Sequence, residues 1–134
     1  MKYEFTVVQK PGHLHVSVTG DNTPENVRRC LRDVVDACTK HKCSRVLLEE
    51  HFVGPSLGMI DVFEIVDEAS GSAWPMVTQI AYVDTNPEHD PGLLDFAETV
   101  AVNRGVRIRL FATTGDGEAW LQREPGQSAG PAGK

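Results

Sequence analysis

Several things are scarce in this chain, and each scarcity excludes something. Its 134 residues include three cysteines, Cys30, Cys38 and Cys43. An odd number, with two of them inside a helical pattern, argues against a disulfide framework. No apolar run approaches the roughly 18 residues that a membrane-crossing helix needs, so no span is expected. The opening MKYEFTVVQK has no long apolar core, so no signal peptide is expected either. A reducing cytoplasm is the simplest expected setting.

Positive charge is also short. Thirteen Lys and Arg stand against nineteen Asp and Glu, a net charge of −6. Such a surface repels nucleic acid phosphates and anionic lipid unless a basic patch intervenes. Arg104, Arg107 and Arg109 do not make one, because Arg107 and Arg109 alternate as one polar strand face. No nucleic-acid partner is expected. Familiar metal-ligand spacings are missing as well. CTKHKC holds Cys38, His41 and Cys43 but no CxxC pair, and Cys38 lies on the apolar stripe of its helix. Neither a metal nor a cofactor is expected.

What is there reads as one α/β domain. The hydrophobic content of 40% is ordinary for a globular chain, and this length supports a core without staples. YEFTVVQ and LHVSV alternate as strands around Pro11-Gly12, a pair suited to a type II turn. The period then changes. Val27, Cys30, Leu31, Val34, Val35 and Cys38 follow helical spacing, with Thr23 as N-cap and Pro24 at the first helical position. RVLLEE is a short apolar strand, and a helix is expected from about Leu57 to Ala69, stopped by Ser70-Gly71. PMVTQIAYV is a strand over residues 75–83. A helix follows with Asp90 as cap and Pro91 at its start, ended by Gly105, then the strand VRIRLFA and a short helix around DGEAWLQ. The expected order is β-β-α-β-α-β-α-β-α, a mixed five-stranded sheet with helices packed on it. Residues 1–122 form the domain, and the Gly, Pro, Ala and Ser of 123–134 read as a disordered tail.

The stretch EEHFVGPSLGMIDVFE, residues 49–64, concentrates the candidate chemistry. On a strand, Glu49 and His51 share a face and Glu50 takes the other. GPSLG matches a Gly-x-Ser-x-Gly elbow between a strand and a helix. A hydrolase would then need a later acid and histidine, and His89 with Asp84 or Asp90 offers the required chain order. Hydrolases of that type are far longer, so the plainer reading makes Ser56 the N-cap of the second helix. His13 and His15 alternate on one strand face, read here as solvated. Asp61, Glu64, Asp67 and Glu68 form an acidic helix face, either solvated or a docking surface for a basic partner.

The element order, with LHVSVTG leading into the first helix, RVLLEE and its loop, and the closing NRGVRIRLFATTGDGEAWL, resembles the STAS domains of anti-sigma-factor antagonists. It is closer to their bacterial SpoIIAA-like relatives, which are related to CRAL-TRIO lipid-binding domains. Ala119, Trp120 and Leu121 are similar to the ending of that group, and the resemblance covers about residues 3 to 121. It implies a STAS-like fold and a non-catalytic, regulatory binding role. In the antagonists a kinase phosphorylates a serine in the loop after the third strand. Laying Leu57-Gly58 on the family's Leu-Gly puts Pro55 at that position, a slide of one residue puts Ser56 there, and the family's aspartate is missing either way.

The expected function is therefore recognition without catalysis near the start of the second helix. Phe52, Gly54, Ser56, Leu57, Met59 and Phe63 are the candidate binding residues, and Ser56 is the candidate phosphorylation site. The expected partner is a protein, or a small apolar, lipid-like or anionic ligand held where helical N–H groups favour negative charge. The alternatives are a small serine hydrolase built on Ser56 and His89, and a structural homodimer joined through an apolar helix face.

Overall fold

The computed structural model describes residues 2–72, 77–88 and 91–123, with the backbone alone at 69–72 and 91. Along it run β1 (Tyr3–Lys10), β2 (His13–Asp21), α1 (Pro24–His41), β3 (Arg45–Val53), α2 (Met59–Ser72), β4 (Gln79–Asp84), α3 (Pro91–Asn103), β5 (Ile108–Phe111) and α4 (Thr114–Arg123). The strands lie in the order β1-β2-β3-β4-β5. The first pair is antiparallel and the other three pairs are parallel. This is the mixed α/β sheet expected from the change of hydrophobic period.

Local chemistry accounts for most boundaries. Lys10 pairs with His13 across Pro11-Gly12, and Gly12 has φ of +86°, where a side chain would be strained. The Thr23 side chain accepts the Asn26 N–H at 3.1 Å, filling one orphan donor at the start of α1. The other end of α1 has no glycine. Lys42 takes the left-handed conformation itself, at φ 52°, and the Cys43 N–H returns to the Cys38 carbonyl at 3.0 Å.

The pleat sorts side chains onto two faces. Leu14, Val16, Val18, Val46, Leu48, Phe52 and Ile80 meet the apolar stripes of α1, α2 and α3 in the main core. Leu47, Ala81 and Val83 point the other way and pack under Trp120 and Leu121 of α4. Both faces of the parallel strands are thus covered, as continuous apolar runs in parallel strands require. Helix α4 seats closely because of Gly117. A Cβ there would stand 2.8 Å from Leu47 Cδ1 and 3.2 Å from Ala81 Cβ.

Several expected boundaries move. β3 runs on to Val53, because parallel pairing with β2 continues through Phe52↔Gly20 and Val53↔Asp21. α2 starts at Met59 and continues to Ser72, through the Ser70-Gly71 pair expected to stop it. A glycine within a helix costs about 1 kcal/mol, which weakens a helix without necessarily ending it. β4 begins at Gln79. Arg123 closes α4, while the rest of the expected tail, residues 124–134, lies outside the described residues, as do His89 and Asp90. Cys30 and Cys38 are core residues, as their helical spacing predicts, and burial raises both thiols, Cys38 to about 11. No helix among the described residues is long and apolar enough to cross a membrane.

Candidate functional site

The loop Gly54–Gly58 joins β3 to α2 and is tied down at its start by two asparagines from other parts of the chain. Asn22, just past β2, donates to the Pro55 carbonyl at 2.7 Å. Asn86, just past β4, donates to the Gly54 carbonyl at 2.8 Å. Asn86 is itself fixed, its N–H bonded to Asp84 Oδ1 at 2.8 Å. Gly54 has φ of +124°, a conformation that a side chain would strain. The loop therefore leaves the sheet at a set angle and brings Leu57 over the space between the sheet and α2.

That space is a cavity of about 120 Å³. Its floor is Leu48, Ile80, Tyr82, Ile108 and Leu110 of the sheet. Its walls are Val27 and Leu31 of α1, Val62, Ile65 and Val66 of α2, and Leu93, Leu94, Ala97 and Ala101 of α3. Leu57 and Asn22 contribute from the loop side. Nearly every group is apolar, as in a small-molecule site.

The exceptions are Asn22, Tyr82, Glu98 and, most deeply buried of the acids, Glu50. Its side chain lies in the cavity wall and is 5% exposed. Tyr82 Oη is 2.6 Å from Glu50 Oε1 and 3.3 Å from Asp84 Oδ2. Burial pushes the Glu50 carboxyl up to about 8; the Tyr82 hydrogen bond opposes that rise and the Asp84 charge adds to it. Tyr82 is pushed up in turn, by burial and by the two carboxyl groups. The other acid of the wall, Glu98, is tied by Oε1 to the Leu110 N–H at 3.0 Å. Among the described residues no Lys, Arg or His lines the cavity.

The opposite face of β3 carries a separate cluster. Glu49 Oε1 meets His15 Nε2 at 2.8 Å and its Oε2 meets His51 Nε2 at 3.1 Å. Thr85 Oγ1 holds His51 Nδ1 at 2.8 Å. Burial alone would raise Glu49, but the His15 hydrogen bond and the two imidazoles outweigh it and hold the carboxyl low. The expected sharing of a face by Glu49 and His51, with Glu50 opposite, is what the pleat produces. No group of three or more metal-ligating side chains among the described residues is arranged to hold an ion. His13 departs from its expected solvated place. It is 3% exposed, its Nε2 3.6 Å from Glu118 of α4, and burial lowers its pKa.

The six candidate binding residues separate in space. Leu57 alone among them lines the cavity. Phe52 is a core residue on β3, its ring 6.5 Å from that of Tyr3. Gly54 shapes the loop. Met59 is 57% exposed, and Phe63 lies at the surface 6.5 Å from Phe96 with the Arg104 guanidinium over its ring. Ser56 does not cap α2. It lies three residues before Met59, its hydroxyl 3.4 Å from the Leu57 carbonyl, and the first helical carbonyl bond is Val62 N–H to Gly58. Among the described residues no acid or imidazole is hydrogen-bonded to Ser56, and the histidine of the hydrolase reading, His89, lies outside them. Part of the acidic face of α2 is occupied within the chain: Asp67 pairs with Arg104 at 2.8 Å and Glu68 with Arg28 at 3.0 Å.

The residues that sequence reasoning missed are Tyr82, Asn22 and Asn86, and Asp84 entered it only as a possible acid of the hydrolase reading. The available signal was Glu50 itself, an acid whose pleat position turns it toward the apolar face. No protein-family model matches this chain, and no curated protein matches it.

Proposed function

We propose that this chain is a non-catalytic, STAS-like binding domain that holds a small, mostly apolar molecule between its sheet and helices α2 and α3. The cavity supports this reading. A space of about 120 Å³ lined by aliphatic side chains and bounded by one buried carboxyl is built like a ligand site. Apolar cavities of roughly 150 Å³ stay dry and accept a molecule the size of benzene. Leu57 lines the cavity from the irregular loop before α2, and entry is assigned to that loop. Recognition then takes place beneath the start of α2.

Ala97 provides the test. It is part of the α3 wall, and Ala97→Leu adds three carbons to the space. Toluene at millimolar concentration is expected to raise the unfolding midpoint of the parent protein by mass action and to leave that of Ala97→Leu unmoved. No shift in the parent, or equal shifts in both proteins, refutes the reading.

A second reading, docking of a protein partner, has one observation in its favour. Val53, Met59 and Ile60 are 70%, 57% and 74% exposed around the loop and the first turn of α2.

A further inference from the structure

The polar end of the cavity restricts what its occupant can carry. Three oxygens stand in a row: Glu50 Oε1, Tyr82 Oη 2.6 Å from it, and Asp84 Oδ2 a further 3.3 Å on. Tyr82 has one hydroxyl hydrogen and cannot donate it to both carboxyl groups. Both contacts are satisfied at once when one of the two acids is protonated, and Glu50, buried where Asp84 is only partly so, is the acid that burial selects. Its O–H then donates to Tyr82 Oη, and the Tyr82 O–H donates to the Asp84 carboxylate. Such a chain keeps a single negative charge, placed on Asp84, next to Asn86 and the loop rather than inside the aliphatic space. It leaves Glu50 Oε2, on a residue that lines the cavity, as a carbonyl-type acceptor with no donor to it among the described residues. This oxygen is not among the fully buried unpaired atoms, so it keeps open space beside it, and a ligand that brings a donor there gains one hydrogen bond.

Building on the proposed cavity function, we infer that the natural occupant is a ring-sized apolar molecule whose one polar group donates a hydrogen bond and carries no negative charge, a hydroxyl or an amine. Carboxylates and phosphates are refused. Glu50, Glu98 and Asp84 all lie at or beside the cavity, and no basic side chain lines it among the described residues. An anion would be desolvated against like charge with no basic side chain among the described residues to pair it.

One series of similar size tests the inference on the intact chain: toluene, benzyl alcohol, aniline and benzoate, titrated at pH 6.5, where the aryl amine is neutral, and followed by protein amide chemical shifts. Toluene reports on the cavity alone. Benzyl alcohol and aniline are expected to bind about three- to tenfold more tightly than toluene, the range of one net hydrogen bond. Benzoate is expected to bind at least tenfold more weakly than benzyl alcohol. In Glu50→Leu, whose buried aliphatic side chain matches the surroundings, toluene binding should persist and the advantage of the alcohol and amine should vanish. If toluene binds but benzoate equals benzyl alcohol in the parent protein, the inference about the polar group is overturned and the cavity reading survives. If the alcohol and amine keep their advantage in Glu50→Leu, the acceptor has been misassigned and the inference is likewise overturned. If none of the four binds, both readings fall.

Discussion

Replacing Glu50 by glutamine should change how the stability of this domain responds to pH, with a sign opposite to that of most acids. The folded protein holds the Glu50 proton up to about pH 8, whereas the exposed side chain in the unfolded chain releases it near 4.5. Between those values the folded state binds one more proton than the unfolded state. Raising the pH therefore favours unfolding, by about 1.4 kcal/mol for each pH unit. The stability held below pH 4.5 is lost progressively up to about pH 8, a total of about 5 kcal/mol. That is comparable to the whole stability of a marginal domain, about 5–15 kcal/mol. Glutamine keeps the shape of the neutral acid and can donate to Tyr82 Oη, but it does not titrate. The stability difference, variant minus parent, should grow by about 3 kcal/mol between pH 5 and pH 7.5. Urea denaturation followed by far-UV circular dichroism at half-unit steps of pH measures it. With a slope of about 1–3 kcal/mol per molar urea, the midpoints should separate by at least about 1 M across that range. His13 and Glu49 also titrate, but they do so in both proteins and cancel in the difference. A difference that stays constant from pH 5 to 7.5 would show that Glu50 is ionised in the fold, and the reasoning about its burial and its hydrogen-bonded chain would be wrong.

Three further outcomes are expected. Gly117→Ala should destabilise the domain by about 1–3 kcal/mol in the same assay, because its methyl group meets Ala81 Cβ, which cannot swing away; an unchanged midpoint would contradict the close seating of α4. Thr23→Ala should cost about 1 kcal/mol through the lost bond to the Asn26 N–H, and Thr23→Ser should restore most of it. Glu49→Gln should be less stable than the parent near pH 6, with the gap closing as the parent is acidified below pH 4.5, because a carboxyl held low stabilises above its unfolded pKa and loses that effect on protonation; a gap that widens on acidification would refute the pairing with His15 and His51.

The arrangement of the elements was legible because each one carries its own local code. The alternation in YEFTVVQ, the helical spacing from Val27 to Cys38 and the Thr23-Pro24 start are contacts within a few residues, and the structure places all three as read. The extension of β3 to Val53 was not legible, since hydrogen bonds to β2 decide it and HFV has no period of its own. His13 was misplaced for a similar reason. Its neighbours in sequence alternate like a solvated face, and only the packing of α4, a hundred residues later, covers it. Ser56 read as a cap because serine suits that role, yet the two asparagine tethers set where the loop leaves the sheet and α2 starts at Met59.

By itself the sequence determined the number, type and order of the elements, because hydrophobic period and capping chemistry act over a few residues. It also placed Glu50 on the face of its strand opposite Glu49 and His51, because a pleat alternates whatever surrounds it. The tertiary structure alone decided what that placement means. It brought Tyr82 and Asp84 alongside the carboxyl by pairing β3 with β4, and it closed three helices over the sheet so that the acid is kept from water. The proton affinity of Glu50 and the cavity beside it depend on the distance between groups far apart in the chain, and that distance is set only when the sheet forms and the helices pack.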